Sequence, residues 1–130
     1  MKVLLSIKPE YVDKIISGEK KFEYRKRIFK EKVDTVVVYS TMPVGKIVGE
    51  FKIEEIINDT PDNIWSLTSH HSGVSEVFFM EYFDKCSEGF ALKIKDIELY
   101  NTPIDPKKRK MHFTPPQSFM YVDNDFLTAF

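Results

Sequence analysis

Three side chains near the start of the chain bring together groups that do chemistry. Lys20, Glu23 and Arg25 place an ammonium, a carboxylate and a guanidinium within one short stretch, Gly18-Glu19-Lys20-Lys21-Phe22-Glu23-Tyr24-Arg25. From residue 20 to 27 the pattern has a period of two. Phe22, Tyr24 and Lys26 fall on one face of a strand, and Lys21, Glu23, Arg25 and Arg27 on the other. Glu23 and Arg25 therefore share a face, and Lys20 stands at the turn into the strand, where it can lean over that face. Two readings follow. One is a surface ion network, which contributes little to stability. The other is a cleft in which Lys20 and Arg25 grip a polar or anionic ligand while Glu23 accepts from its exocyclic N–H groups. The pattern alone leaves both open.

Other chemistries find less support. No phosphate-cradling glycine loop, zinc-finger spacing or nucleophile elbow occurs. His70 and His71 are adjacent, so their rings point different ways, and no pair of histidines has the i, i+4 spacing of a helical metal site. No metal and no cofactor is expected. Cys86 is the only cysteine, so no internal disulfide forms, and it reads as packing material. The net charge is −1, but it is unevenly spread. Residues 20–32 carry Lys20, Lys21, Arg25, Lys26, Arg27, Lys30 and Lys32 against Glu23 and Glu31, and Lys107, Lys108, Arg109 and Lys110 form a second basic run. Two basic patches on an acidic body suit a localised anionic partner as well as they suit solvated loops.

The elements that must position these groups can be read from pattern. Residues 3–7 form a short apolar strand. Pro9 opens a helix that Gly18 ends, with Tyr11, Val12, Ile15 and Ile16 at helical spacing. The β-branched run over residues 33–40 reads as a central strand. Residues 46–57 alternate, and Gly49 within them marks a bulge or a close backbone approach. Thr60-Pro61 starts a second helix, and Ser75 caps a third over residues 76–84 with Phe78, Phe79, Tyr82 and Phe83 on its aromatic face. Residues 89–100 form a long strand, residues 101–110 a basic loop, and residues 119–122 a last strand. The tail, residues 125–130, has the apolar content to dock on an edge in cis or across a dimer.

The chain's 130 residues suit one domain, spanning residues 1–130, and its eleven Phe and six Tyr supply a bulky core. Five or six strands and about three short helices give an α+β domain around a curled sheet or small barrel. The longest run without Asp, Glu, Lys, Arg or His, residues 35–45, is too short to cross a bilayer, so no membrane partner is expected. The apolar start at residues 3–5 is broken by Ser6 and Lys8-Pro9-Glu10, unlike a signal peptide, which makes a cytoplasmic location the default.

In order and setting these motifs resemble those of ASCH-domain proteins of the PUA-like superfamily. That family's signature, G-x-K-x-x-E-x-R, is filled here by Gly18, Lys20, Glu23 and Arg25. Leu5-Ser6-Ile7-Lys8-Pro9, Val38-Tyr39-Ser40-Thr41-Met42-Pro43, Trp65, Gly73-Val74-Ser75, Tyr82-Phe83 and Pro115-Pro116-Gln117-Ser118-Phe119 extend the similarity over nearly the whole chain. The resemblance implies a PUA-like small β-barrel of five to six mostly antiparallel strands flanked by about three short helices. It also implies an RNA- or nucleotide-binding module whose basic cleft is built on the signature, in a transcription- or translation-linked setting that leaves room for a protein partner.

Under that reading Lys8, Lys20, Glu23, Arg25, Ser40 and Thr41 bind the ligand, and Lys107, Lys108, Arg109 and Lys110 hold phosphates. Tyr24, Tyr39, Trp65 and Phe113 are the candidates for base stacking. An alternative the resemblance also carries is a small hydrolase, either an amidohydrolase acting on a modified nucleoside such as N4-acetylcytidine or a ribonuclease. Lys20 and Glu76 are then the catalytic pair. The amidohydrolases have a Thr three residues after the Lys, and Glu23 stands there instead.

Overall fold

The computed structural model describes residues 1–109 and 113–129. Strand β1 (Lys2–Ile7) leads through Lys8 into helix α1 (Pro9–Ser17). Pro9 costs this helix nothing, since the first helical N–H has no partner to lose. Gly18 ends it with φ +87°, the left-handed turn that glycine adopts without strain, and its N–H donates to Ile15 O at 3.2 Å. The chain then returns as β2 (Phe22–Arg25), β3 (Thr35–Ser40) and β4 (Lys46–Asp59). Helix α2 (Pro61–Thr68), a 3-10 turn (Ser69–His71) and helix α3 (Glu76–Tyr82) follow. The hydroxyls of Thr60 and Ser75 cap α2 and α3 by accepting from the N–H groups of Asn63 and Phe78. The long strand β5 (Gly89–Ile104), helix α4 (Pro106–Arg109), strand β6 (Phe119–Val122) and a last 3-10 turn (Phe126–Ala129) complete the described chain.

The strands form one six-stranded sheet in the order β2-β5-β4-β3-β1-β6. β1 and β3 are parallel, and the other described pairings are antiparallel. β1 and β3 lie inside the sheet, which is why their apolar residues run nearly unbroken. Alternation along β1 sends Val3, Leu5 and Ile7 to one face, where they meet Val12 and Ile15 of α1, and Leu4 to the other, against Tyr39, Phe113 and Val122. A third cluster, Ile64, Phe79 and Phe83 with Phe22, Tyr24 and Ala91, seats α2 and α3 on β2 and β5. The tail docks in cis, with Phe126 and Leu127 against the second cluster.

This architecture corrects the expected barrel. The domain is α+β with a mixed, open sheet: β2 and β6 end the strand order, and no ladder joins them among the described residues. Both are only four residues long, and each pairs on one side alone. The two edges communicate through side chains instead. Tyr121 Oη on β6 accepts from the N–H groups of Lys30 (2.7 Å) and Glu31 (3.0 Å), in the segment that follows β2. The expected basic loop is a second correction. β5 continues to Ile104, which pairs with Ile47, and Asp105 starts α4 by accepting from Lys107 N and Lys108 N.

Gly49 is the close approach that its place in an alternating strand suggests. The β4–β5 register shifts beside it, and a Cβ there would run into the Glu98 carbonyl oxygen and lie 3.2 Å from Leu99 Cα. Both obstacles are backbone. Gly49→Ala is therefore expected to lower stability by about 1–3 kcal/mol. Urea titration checks this: the midpoint should fall while the slope stays constant.

Candidate functional site

Between α1, β2, α3 and the segment leading into β6 lies a cavity of ≈ 320 Å³. Lys20, Glu23 and Arg25 all line it, together with Ser6, Lys8 and Gln117 on the polar side and Tyr11, Tyr24, Phe78, Phe79 and Tyr82 on the aromatic side. The local fold explains the convergence. After Gly18 the chain doubles back, and Lys20 N donates to Lys14 O at 3.0 Å, which fixes where β2 begins. Lys21 N then donates to His71 O at 2.9 Å, so the start of β2 is tied to the turn after α2.

Lys20 is 2% exposed. Its Nζ donates to Ser72 O at 2.9 Å and sits 4.6 Å from the centre of the Tyr24 ring and 5.6 Å from that of Tyr11. A carbonyl and two aromatic faces thus replace much of its hydration. Glu23 is also buried, with Oε2 3.3 Å from Arg25 Nη1. The other terminal nitrogen of Arg25 donates to Ser118 O at 2.6 Å. Ser6 Oγ donates to Pro116 O at 2.7 Å. These two bonds hold the 116–118 segment as a strap along the cavity, with Gln117 on its wall.

The electrostatics follow from burial. Desolvation pulls the Lys20 pKa below the ordinary lysine value, Glu23 works against that shift, and Lys14 adds to it. Burial likewise pushes the Tyr24 phenol up to about 12, against the opposing effect of its 2.7 Å hydrogen bond with Thr68 Oγ1. Tyr11 and Tyr82 are raised mainly by burial as well. The cavity thus pairs an ammonium that gives up its proton more readily than a free lysine with phenols that hold theirs.

Not every residue singled out by sequence reaches this cavity. Lys8, Lys20, Glu23 and Arg25 line it. Ser40 is buried at the end of β3, and Thr41 follows with its N–H on Ile7 O, and neither is among the lining residues. Glu76 is exposed in the first turn of α3, outside the cavity wall. Lys107 and Lys108 are exposed on α4, Arg109 closes that helix, and Lys110 lies outside the described residues. Of the stacking candidates only Tyr24 lines the cavity. Tyr39 and Phe113 pack with Leu4 and Ile47, and Trp65 packs on Phe79. Sequence reasoning missed Tyr11, Phe78, Tyr82 and Gln117 as wall residues. The aromatic face of residues 78–83 was the available signal, but periodicity could not show that it closes over Lys20.

Comparison with known proteins places these features in context. The family model described as "ASCH domain" matches residues 5–101. The "ASCH domain-containing ribonuclease" of Zymomonas mobilis is 28% identical over 126 residues, covering 92% of this chain and 82% of that protein. The crystal structure of ASCH from Zymomonas mobilis superposes with a TM-score of 0.88 at 26% identity, covering 98% of this chain and 92% of that one. The N-terminal domain of Staphylothermus marinus McrB shares the fold, with a TM-score of 0.62 at 10% identity over 98% of this chain and 91% of that one.

Two outcomes are expected from this geometry. Arg25→Ala removes a charged donor from Ser118 O, so the strap should open more easily by about 1.5–3 kcal/mol, read as faster amide exchange over residues 117–119. Tyr24 gives a pH signature. The unfolded phenol ionises near pH 10 and the folded one near 12, so its contribution to stability is complete below about pH 10 and is lost as pH rises to about 12. Urea midpoints at pH 8 and 11 should therefore fall less steeply in Tyr24→Phe, which also loses about 1 kcal/mol at pH 8 with its Thr68 bond.

Proposed function

This chain belongs to the ASCH domain family, and from that premise we propose that it is a ribonuclease that cleaves RNA by internal transesterification, with the Lys20–Glu23–Arg25 cavity as its site. The observation that carries the reading is the meeting of an ammonium, a carboxylate and a guanidinium on the lining of one aromatic-walled cavity. The relationship to an ASCH domain-containing ribonuclease supports the choice of RNA over other polar ligands. The cavity's size fits a nucleotide's base and sugar rather than a longer segment.

The walls divide the work. The base enters against Tyr11, Tyr24 and Tyr82, where any base can stack. Lys8 and Arg25 hold the phosphate, Arg25 through the N–H groups that Glu23 and Ser118 leave free. The Glu23 carboxylate takes the proton from the 2′-hydroxyl as its oxygen bonds to phosphorus. The bond from phosphorus to the 5′-oxygen breaks, and the Lys20 ammonium supplies the proton to that leaving oxygen. The products are a cyclic phosphate and a 5′-hydroxyl. The cations also stabilise charge developing on the phosphoryl oxygens, inside a site where burial strengthens every such interaction. Glu76 has no part in this scheme, because it lies outside the cavity wall.

Single-stranded RNA of mixed sequence, followed by gel and by mass of the products, tests the reading. Lys20→Ala and Glu23→Gln are each expected to reduce cleavage by about 10²–10⁴-fold. Full cleavage by either folded variant, or intact RNA with the unaltered protein, would overturn it. The pH dependence carries a sign. Lys20 donates a proton, so cleavage should fall as pH rises through its pKa. That alkaline limb should lie below the ordinary lysine value and vanish in the residual activity of Lys20→Ala.

A further inference from the structure

The turn after α2 presents three successive carbonyls to the 14–21 segment. His71 O accepts from Lys21 N at 2.9 Å, Ser72 O from Lys20 Nζ at 2.9 Å, and Gly73 O from Lys14 Nζ at 3.2 Å. The Ser72 hydroxyl steadies the turn, donating to Val74 O at 2.8 Å. Gly73 has φ +69°, and it lies against the stem of Lys20. A Cβ added there would stand 2.5 Å from Lys20 Cβ, 2.8 Å from Cγ and 3.0 Å from Cδ. No real Cβ occupies such a position, so a side chain at residue 73 must push the Lys20 stem aside.

We propose that Gly73 is a positioning residue: by lacking a side chain, it lets the Lys20 stem lie flat against the turn and so aims the ammonium at the Ser72 carbonyl and into the cavity. The inference rests on the proposed role of Lys20 but concerns a separate matter, what fixes the direction of that lysine. Two observations independent of that role support it. The contact is with the stem atoms nearest the backbone, which cannot swing away as the end of a flexible chain can. The adjacent carbonyls hold both Lys20 and Lys14, so the turn grips the lysine from its stem to its tip.

A displaced stem moves the ammonium relative to every group that faces it. Those groups are Tyr11 and Lys14 on α1, Glu23 and Tyr24 on β2, and Ser72 O in the turn. With Nζ out of its seat, burial weighs less and the titration of Lys20 should move back toward that of an ordinary lysine.

The test uses Gly73→Ala and Gly73→Asn in the full chain. Asn tolerates a left-handed backbone but keeps the crowding, which separates the two effects of losing the glycine. Gly45→Ala is the control: Gly45 has φ +62°, and its added Cβ would meet Met42 and Tyr39 rather than Lys20. Thermal melts confirm folding, nitrogen NMR titration of the Lys20 side chain reports its pKa, and RNA cleavage reports activity. The expected result is an upward shift of the Lys20 titration in the Gly73 variants and a loss of cleavage of about 100-fold, with Gly45→Ala unchanged in both. A folded Gly73→Asn whose Lys20 titrates as in the unaltered chain would overturn the proposal, as would an equal shift in Gly45→Ala. The titration reads the lysine whether or not the chain cleaves RNA, so failure of the proposed activity and failure of this inference give different results.

Discussion

A lysine ammonium held at 2% exposure is the constraint around which the site is built. Removing such a group from water is unfavourable by several kcal/mol unless the protein replaces its hydration. Here the replacement comes from four directions. Ser72 O accepts its hydrogen bond, the faces of Tyr24 and Tyr11 attract its charge, and Glu23 lies near enough to oppose the desolvation. Each partner constrains something else. The Ser72 carbonyl faces Lys20 only if the turn after α2 is tied to the start of β2, which Lys21 N and His71 O accomplish. The Tyr24 ring is fixed in turn by its bond to Thr68, whose hydroxyl also donates to Ile64 O within α2. Helix α2 and strand β2 are thereby locked together around one charge.

The open sheet matters to this site because its two edges border the same cavity. β2 supplies Glu23 and Arg25, while the segment entering β6 supplies Gln117 and is held to Arg25 through Ser118 O. A continuous ladder between these edges would fill the intervening space with backbone. Side-chain links across it leave room for a ligand. Arg25 suits the span because its guanidinium reaches Glu23 with one nitrogen and Ser118 with another, a geometry a lysine cannot reproduce. The strap is also joined to β1 through Ser6, so this wall depends on the edge strand β2 and on β1, the interior strand beside the opposite edge.

Local pattern made much of this legible. Pro9 and Gly18 bracket α1, the hydroxyls of Thr60 and Ser75 cap their helices, and the alternation around Phe22 places Glu23 beside Arg25. Each is a short-range rule in which neighbours in sequence are neighbours in space. The closure of the sheet was not legible, since it depends on whether two short edges pair, and β2 and β6 are 93 residues apart where Arg25 meets Ser118. The same distance hid Gln117. The basic run after residue 104 misled because its charges masked a helix start at Asp105 and Pro106. Ser40 fell outside for another reason: it ends a strand whose neighbours on both sides bury it, and Thr41, just past that strand, is tied by its N–H to Ile7 O.

A cavity lined by large aromatic groups tends to collapse, since close packing is the favoured state of an interior. The ring contacts show why this one stays open. Tyr11 meets Phe78 at 5.8 Å, Phe78 stacks on Tyr82 at 9° between planes, and Tyr82 meets Phe83 at 4.8 Å. Phe83 belongs to the core beneath α3, so the wall is braced from α1 across α3 into the interior. Tyr82 is held at its tip as well, donating to Tyr24 O at 3.3 Å, and Lys26 lies 4.9 Å over its ring. A rigid aromatic wall facing a buried cation and an ion pair is preorganised for a ligand that is flat on one side and charged on the other. Because those rings are already in place, their ordering is accomplished by folding and does not weaken binding.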